Sequence, residues 1–82
     1  MKIRYYVYII KNTTDDTVYT GYTEDLNRRL KEHNMNKSKY TKSKGLWELI
    51  WFAVFNQKEK ALNFEQYLKH GSGHAFARKR FI

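Results

Sequence analysis

The chain has 82 residues, with 16 Lys plus Arg against 8 Asp plus Glu, a formal charge of +8 at pH 7, and neither Cys nor Pro. That length makes one domain rather than two, and a domain this small hides only about 60% of the surface its unfolded chain exposes. Without thiols there is no disulfide framework and no cysteine zinc site, so the core alone must hold the fold.

Apolar residues make up 41% and aromatic residues 17%, which argues against disorder. The longest apolar run, Leu49 to Phe55, is seven residues, far below the roughly 20 that span a bilayer. Met1-Lys2-Ile3-Arg4 leads straight into aromatics, without the apolar segment of a secretion signal. The expectation is a soluble, cytoplasmic domain with no membrane contact. Its excess of positive charge favours polyanions, of which nucleic acid is the commonest.

Ile3 to Ile10 (IRYYVYII) is rich in aromatic and β-branched residues and reads as a strand. Asn12 to Asp16 is turn chemistry, and Thr17 to Thr20 reads as a second short strand ended by Gly21, completing a hairpin. A helix follows, with Thr23 as N-cap, Glu24 and Asp25 in its first turn, and Asn34 as its stop. Residues 35–45 are polar and basic and read as a loop. Leu46 to Phe55 reads as a strand covered on most of both faces. Asn56 caps a second helix from Gln57 to His70, which Gly71 and Gly73 end before a short basic, aromatic tail. The order β-β-α-loop-β-α predicts a small α+β domain, an antiparallel three-stranded sheet flanked by helices.

At about 100° per residue, Leu26 and Leu30 share the buried face of the first helix, and Arg29 and His33, four apart, are neighbours at its edge. A lone Arg there is also explained by an aliphatic stem covering the core. In the second helix Glu65 falls within the stripe of Ala61, Phe64 and Leu68. A carboxylate so placed is costly unless it is paired, with Arg29 as one candidate, or binds a metal. Tyr6 and Tyr8 share one face of the first strand, and Tyr19 precedes Thr20-Gly21. Strand aromatics are commonly core, and a phenol is a poor base unless cations lower its pKa. Lys37, Lys39, Lys42 and Lys44 surround Tyr40, and Arg78-Lys79-Arg80 lie near the C-terminus. Basic residues interleaved with aromatics suit phosphate contacts and base stacking, although such a loop is often merely solvated. His70 and His74 straddle two glycines and give no metal motif.

In this order the residues resemble the GIY-YIG nuclease superfamily, and in particular its small stand-alone YhbQ-like (UPF0213 type) members. Tyr6-Val7-Tyr8 is similar to the first triplet and Tyr19-Thr20-Gly21 to the second, ten residues apart. Tyr6 stands where the family has glycine and Thr20 where it has isoleucine. The stretch DLNRRLKEHN resembles the family's helix, with Arg29 and His33 at its functional positions. KYTKSKGLWELIWF and ALNFEQYLKHGSG resemble the remainder, with Glu65 matching the metal-binding glutamate.

The resemblance implies a metal-dependent endonuclease hydrolysing phosphodiester bonds in DNA, selective for structure rather than sequence, in repair or recombination. Glu65 would hold one Mg²⁺ or Mn²⁺ and Arg29 would clamp the phosphate. Tyr8, Tyr19 and His33 would bind it or move protons, with the choice of base among the three open. In some relatives a lysine follows the second triplet; here it is Tyr22. Many relatives carry a second domain that chooses the target, so here a protein partner or the basic segments would supply that choice. The alternatives are a non-catalytic nucleic-acid-binding module keeping the nuclease fold, and a structural or interaction domain in which Glu65 is a paired core carboxylate.

Overall fold

The computed structural model describes residues 3–14, 16–35 and 46–70. Three strands, β1 (Tyr5–Asn12), β2 (Val18–Thr23) and β3 (Trp47–Phe55), and two helices, α1 (Leu26–Asn34) and α2 (Lys58–Lys69), follow in the order β1-β2-α1-β3-α2. The strands form one antiparallel sheet in the spatial order β2-β1-β3. The fold is therefore the expected α+β domain. Among the described residues no helix is long and apolar enough to cross a membrane.

Strand β1 is central because it is apolar on both sides. Val7 and Ile9 face one way, into a cluster with Ala61 and Leu68 of α2, around which Tyr5, Val18, Tyr22, Ile50, Trp51, Phe55 and Phe64 pack. Tyr8 and Ile10 face the other way, into a cluster with Trp47 completed by Tyr19, Leu26, Leu30 and Leu49. The helices thus cover opposite faces of the sheet. A bulge between Ile9 and Ile10 shifts the β1–β3 register. Through it Ile50 and Trp51, adjacent in sequence, both join the α2-side cluster.

Four expectations need correction. Strand β2 does not end at Gly21 but continues to Thr23, with Gly21 paired to Tyr8. The N-cap of α1 is Asp25, not Thr23: its carboxylate accepts the Arg28 N–H at 3.1 Å. Thr23 instead forms the preceding turn, its Oγ1 accepting the Asp25 N–H, and no acidic residue occupies the first turn of α1. In α2 the cap is Gln57 without a side-chain bond, rather than Asn56. Finally, β3 is not covered on both faces along its length. Phe52 and Val54 are 48% and 47% exposed, because α1 packs near Trp47 and Leu49 and not beyond. The expected loop at 35–45, apart from Met35, and the glycines and tail beyond His70 lie outside the described residues.

The hairpin connection is held by Asn12, which is fully buried. Its Oδ1 accepts the Thr14 N–H at 2.8 Å, its N–H donates to Thr17 O at 2.8 Å, and its carbonyl accepts from Asp16 N–H at 3.1 Å. Asp16 takes the left-handed conformation (φ 62°) that asparagine and aspartate tolerate in tight turns.

Candidate active site

The site is built on the α1 side of the sheet. Tyr8 and Tyr19 point to that face from adjacent strands, with ring centroids 6.2 Å apart. Gly21 lies directly across from Tyr8. A Cβ placed on Gly21 would come within 2.5 Å of the Tyr8 hydroxyl oxygen and 2.8 Å of the Tyr19 ring. The glycine of the second triplet is therefore required by the Tyr8 phenol lying over it, not by a turn.

Helix α1 delivers Arg29 and His33 onto these phenols. The Asp25 cap starts the helix, and the Arg29 N–H closes its first turn on Asp25 O at 3.0 Å. His33, one turn on, is fully buried, 5.8 Å from the Tyr8 ring and 5.1 Å from the Tyr19 ring. Its Nε2 lies 2.8 Å from the Tyr8 hydroxyl. Arg29 hydrogen-bonds both phenols and pairs with Glu32 at 3.0 Å.

The proton positions follow from the electrostatics. Burial, outweighing the Arg29 hydrogen bond, pushes the Tyr8 phenol up to about 12. Burial first, and then the Arg29 charge, push His33 down to about 4. Burial works against the Arg29 charge, but its bonds to Tyr8 and Glu32 more than compensate, and its pKa rises. At neutral pH the order is thus fixed. Arg29, which can only donate, gives N–H bonds to the phenol oxygens. Tyr8 keeps its proton and donates it to Nε2 of a neutral His33.

Glu65 approaches from the α2 side and is 9% exposed. Its charge is felt at both Tyr8 and Tyr22, which point to opposite faces of the sheet. The Lys69 ammonium that it binds at 3.1 Å lies 6.0 Å from the Tyr19 ring, which brings it towards the edge strand β2. Its ion pair is with Lys69, at 3.1 Å. The expected pairing alternative, Arg29, is instead engaged by Glu32 on its own helix. Tyr22, the residue after the second triplet, is turned away from the site: its hydroxyl donates to Glu24 Oε2 at 3.1 Å and its ring stacks on Tyr5.

The structure thus gathers Tyr8, Tyr19, Arg29 and His33 into one bonded cluster, with Glu65 beside it. Lys37, Lys39, Tyr40, Lys42, Lys44, Arg78, Lys79 and Arg80, the expected nucleic-acid contacts, lie outside the described residues. The roles of three residues are not foreseen from the sequence, in which Asn34 reads only as a helix stop. Glu32 and Lys69 carry a visible signal, being three and four residues along the helix from the groups they bind. Asn34 carries none. Its Oδ1 accepts the Trp47 N–H at 2.6 Å and its Nδ2 donates to Trp47 O at 3.2 Å, clamping the end of α1 to the start of β3.

A family model described as the GIY-YIG catalytic domain matches residues 4–79. The chain belongs to the GIY-YIG family. Membership places it in a nuclease superfamily, and the residues gathered above are those on which the resemblance rested. Among the relatives of the GIY-YIG chain is the UPF0213 protein CPE1444 of Clostridium perfringens, 42% identical over 65 residues that cover 78% of this chain and 69% of that protein. The UPF0213 protein BH0048 of Halalkalibacterium halodurans is 41% identical over 69 residues, covering 83% and 72%. The solution NMR structure of the UPF0213 protein BH0048 from Bacillus halodurans superposes with a TM-score of 0.57 at 34% identity, covering 96% of this chain and 87% of that one.

GIY-YIG membership raises the question of a divalent ion. Among the described residues no three His, Cys, Asp or Glu side chains stand together, so they provide no protein-only cage. Glu65 offers a hard carboxylate oxygen, and its seat already accommodates a cation, the Lys69 ammonium, whereas the Glu32 carboxylate is taken by Arg29 and Arg28. Such a donor set fits Mg²⁺, which is commonly bound by one or two carboxylates together with water and substrate phosphate.

Proposed function

We propose that the protein is a metal-dependent endonuclease that hydrolyses phosphodiester bonds in DNA, selecting substrates by structure rather than sequence, in repair or recombination in the cytoplasm. The observation that carries this reading is the double engagement of Arg29, bonded to the phenols of Tyr8 and Tyr19 beside the Glu65 carboxylate. Its carboxylate partner, Glu32, is shared with Arg28, so two guanidiniums face one carboxylate and positive charge is left over for a phosphate.

The residues divide the work by exposure. Tyr8 and His33 are 1% and 0% exposed, whereas Tyr19 and Arg29 are only partly buried. Arg29 is the group to grip the scissile phosphate and stabilise its developing charge. Tyr19, bonded to Arg29 and only partly buried, is the group to orient the attacking water through its hydroxyl. Tyr8 and neutral His33 stand behind them. Their hydrogen bond holds the Tyr8 phenol in place beneath Arg29. Glu65 would hold the divalent ion, which when bound supplies Lewis acidity for charge on the leaving oxygen.

The test is incubation of purified protein with branched, flapped and single-stranded DNA in Mg²⁺ or Mn²⁺. Cleavage is expected, lost at least about 100-fold in Arg29→Ala and abolished in Glu65→Gln. No cleavage of any substrate, or undiminished cleavage by Glu65→Gln, overturns the reading.

A second reading, a nucleic-acid-binding module without catalysis, is favoured by two observations: Glu65 is occupied by Lys69, and half of the cluster is closed to solvent. It predicts binding that weakens steeply with salt and is unaffected by Glu65→Gln. Absence of binding at low salt removes it.

A further inference from the structure

The ammonium on Glu65 comes from its own helix. Lys69 Nζ lies 3.1 Å from Glu65 Oε2, one turn along α2, and 6.0 Å from the centroid of the Tyr19 ring. The carboxylate side chain is 12% exposed and the lysine side chain 36%. The acid is therefore nearly enclosed, while its partner enters from the solvent side on a flexible four-carbon stem. A carboxylate so enclosed requires a counter-charge, and Lys69 provides one while no other cation is bound. Arg29 is not available for this role, being engaged by Glu32 and by the two phenols.

We propose that Lys69 is a built-in competitor for the cation seat of Glu65, holding the carboxylate in place and giving way to a divalent ion. This rests on the reading of Glu65 as the metal-holding residue. An ammonium and a divalent ion repel each other, so occupancy by one weakens the other. Once displaced, the lysine remains tethered beside Tyr19 and adds its charge to that of Arg29, on the side from which a phosphodiester would approach. Exchange at Glu65 thus adds the two charges of the ion and also releases the ammonium from its carboxylate, so that its charge is free to face a phosphate. Metal and polyanion then favour each other's binding.

The experiment is titration of the metal-free full chain with Mn²⁺ in the absence of DNA, with free Mn²⁺ followed by electron paramagnetic resonance. Lys69→Met, which keeps the stem and removes the charge, is expected to bind Mn²⁺ about five- to tenfold more tightly than wild type. Lys69→Arg, which keeps the charge, is expected to stay within about twofold of wild type. Equal or weaker binding by Lys69→Met, with Glu65→Gln losing Mn²⁺, overturns the competition alone and leaves Glu65 as the metal residue. Wild-type affinity in Glu65→Gln overturns both. Tighter binding by Lys69→Met supports the competition even if no DNA is cut.

Discussion

The Tyr8 hydroxyl lies 2.8 Å from Nε2 of His33, and neither residue reaches solvent. A phenol that keeps its proton to about 12 and an imidazole that stays neutral down to about 4 form a donor–acceptor pair over the whole range in which the protein would work. This bond joins the central strand to α1, so it is a fold contact and a site contact at once.

The first prediction concerns pH. In the unfolded chain His33 takes a proton near 6.5; folded, it does so only near 4. Between those values the unfolded state binds more protons. Stability therefore falls as the pH drops from 6.5 towards 4, by up to ~1.4 kcal/mol per pH unit from this residue, and the loss is complete below 4. Carboxylates titrate in the same window, so the contribution is read by difference. Urea unfolding of wild type and His33→Phe at a series of pH values should show a shallower acid slope in the variant. Parallel slopes would exclude a buried neutral imidazole.

Tyr8→Phe keeps the ring and deletes the hydroxyl. It leaves His33 Nε2 buried without its donor and removes an acceptor from Arg29. The expected cost is ~1–3 kcal/mol in urea unfolding at pH 7. Because burial is the first cause of the low His33 pKa, the acid slope should survive in Tyr8→Phe. Its disappearance would mean that the phenol, not burial, keeps the imidazole neutral.

Gly21→Ala tests the close approach in the second triplet. The new methyl would fall 2.5 Å from the Tyr8 oxygen and 2.6 Å from its Cζ, so the buried ring must move. A loss of ~1–3 kcal/mol is expected, with shifted NMR signals for the Tyr8 and Tyr19 rings. An unaltered melting temperature with unaltered ring signals would show that the phenol has room to spare.

Asn34→Ala removes both bonds to the Trp47 main chain. The expected penalty is ~2 kcal/mol, together with faster hydrogen exchange at the Trp47 amide. If that amide stays as protected as in wild type, the clamp is not what anchors β3.

The strands, both helices and the neighbouring of Arg29 and His33 were legible because they rest on local periodicity, whereas the grouping of Tyr8 and Tyr19 with them came from the resemblance to the GIY-YIG family. Features are misplaced where two local rules compete. Gly21 reads as a strand end by propensity, yet the phenol packed over it keeps it inside β2. Thr23 and Asp25 are both good capping residues two positions apart, and Thr23 is drawn into the preceding turn. Arg29 was the basic candidate for Glu65, and Lys69 on its own helix took it instead because an i,i+4 contact needs no chain to cross the sheet. Asn34 was illegible for a different reason: its partner is main chain 13 residues away, which no side-chain pattern encodes.

Val7, Tyr8, Ile9 and Ile10 are each at most 1% exposed, and they lie on the one strand hydrogen-bonded on both flanks. The phenol that anchors the site is thus set in the segment that opens last. Amide exchange at Tyr8 should track global unfolding rather than local fraying. Mutations that merely loosen the periphery would then spare the geometry around this phenol, while those that erode it would erode the whole molecule in proportion.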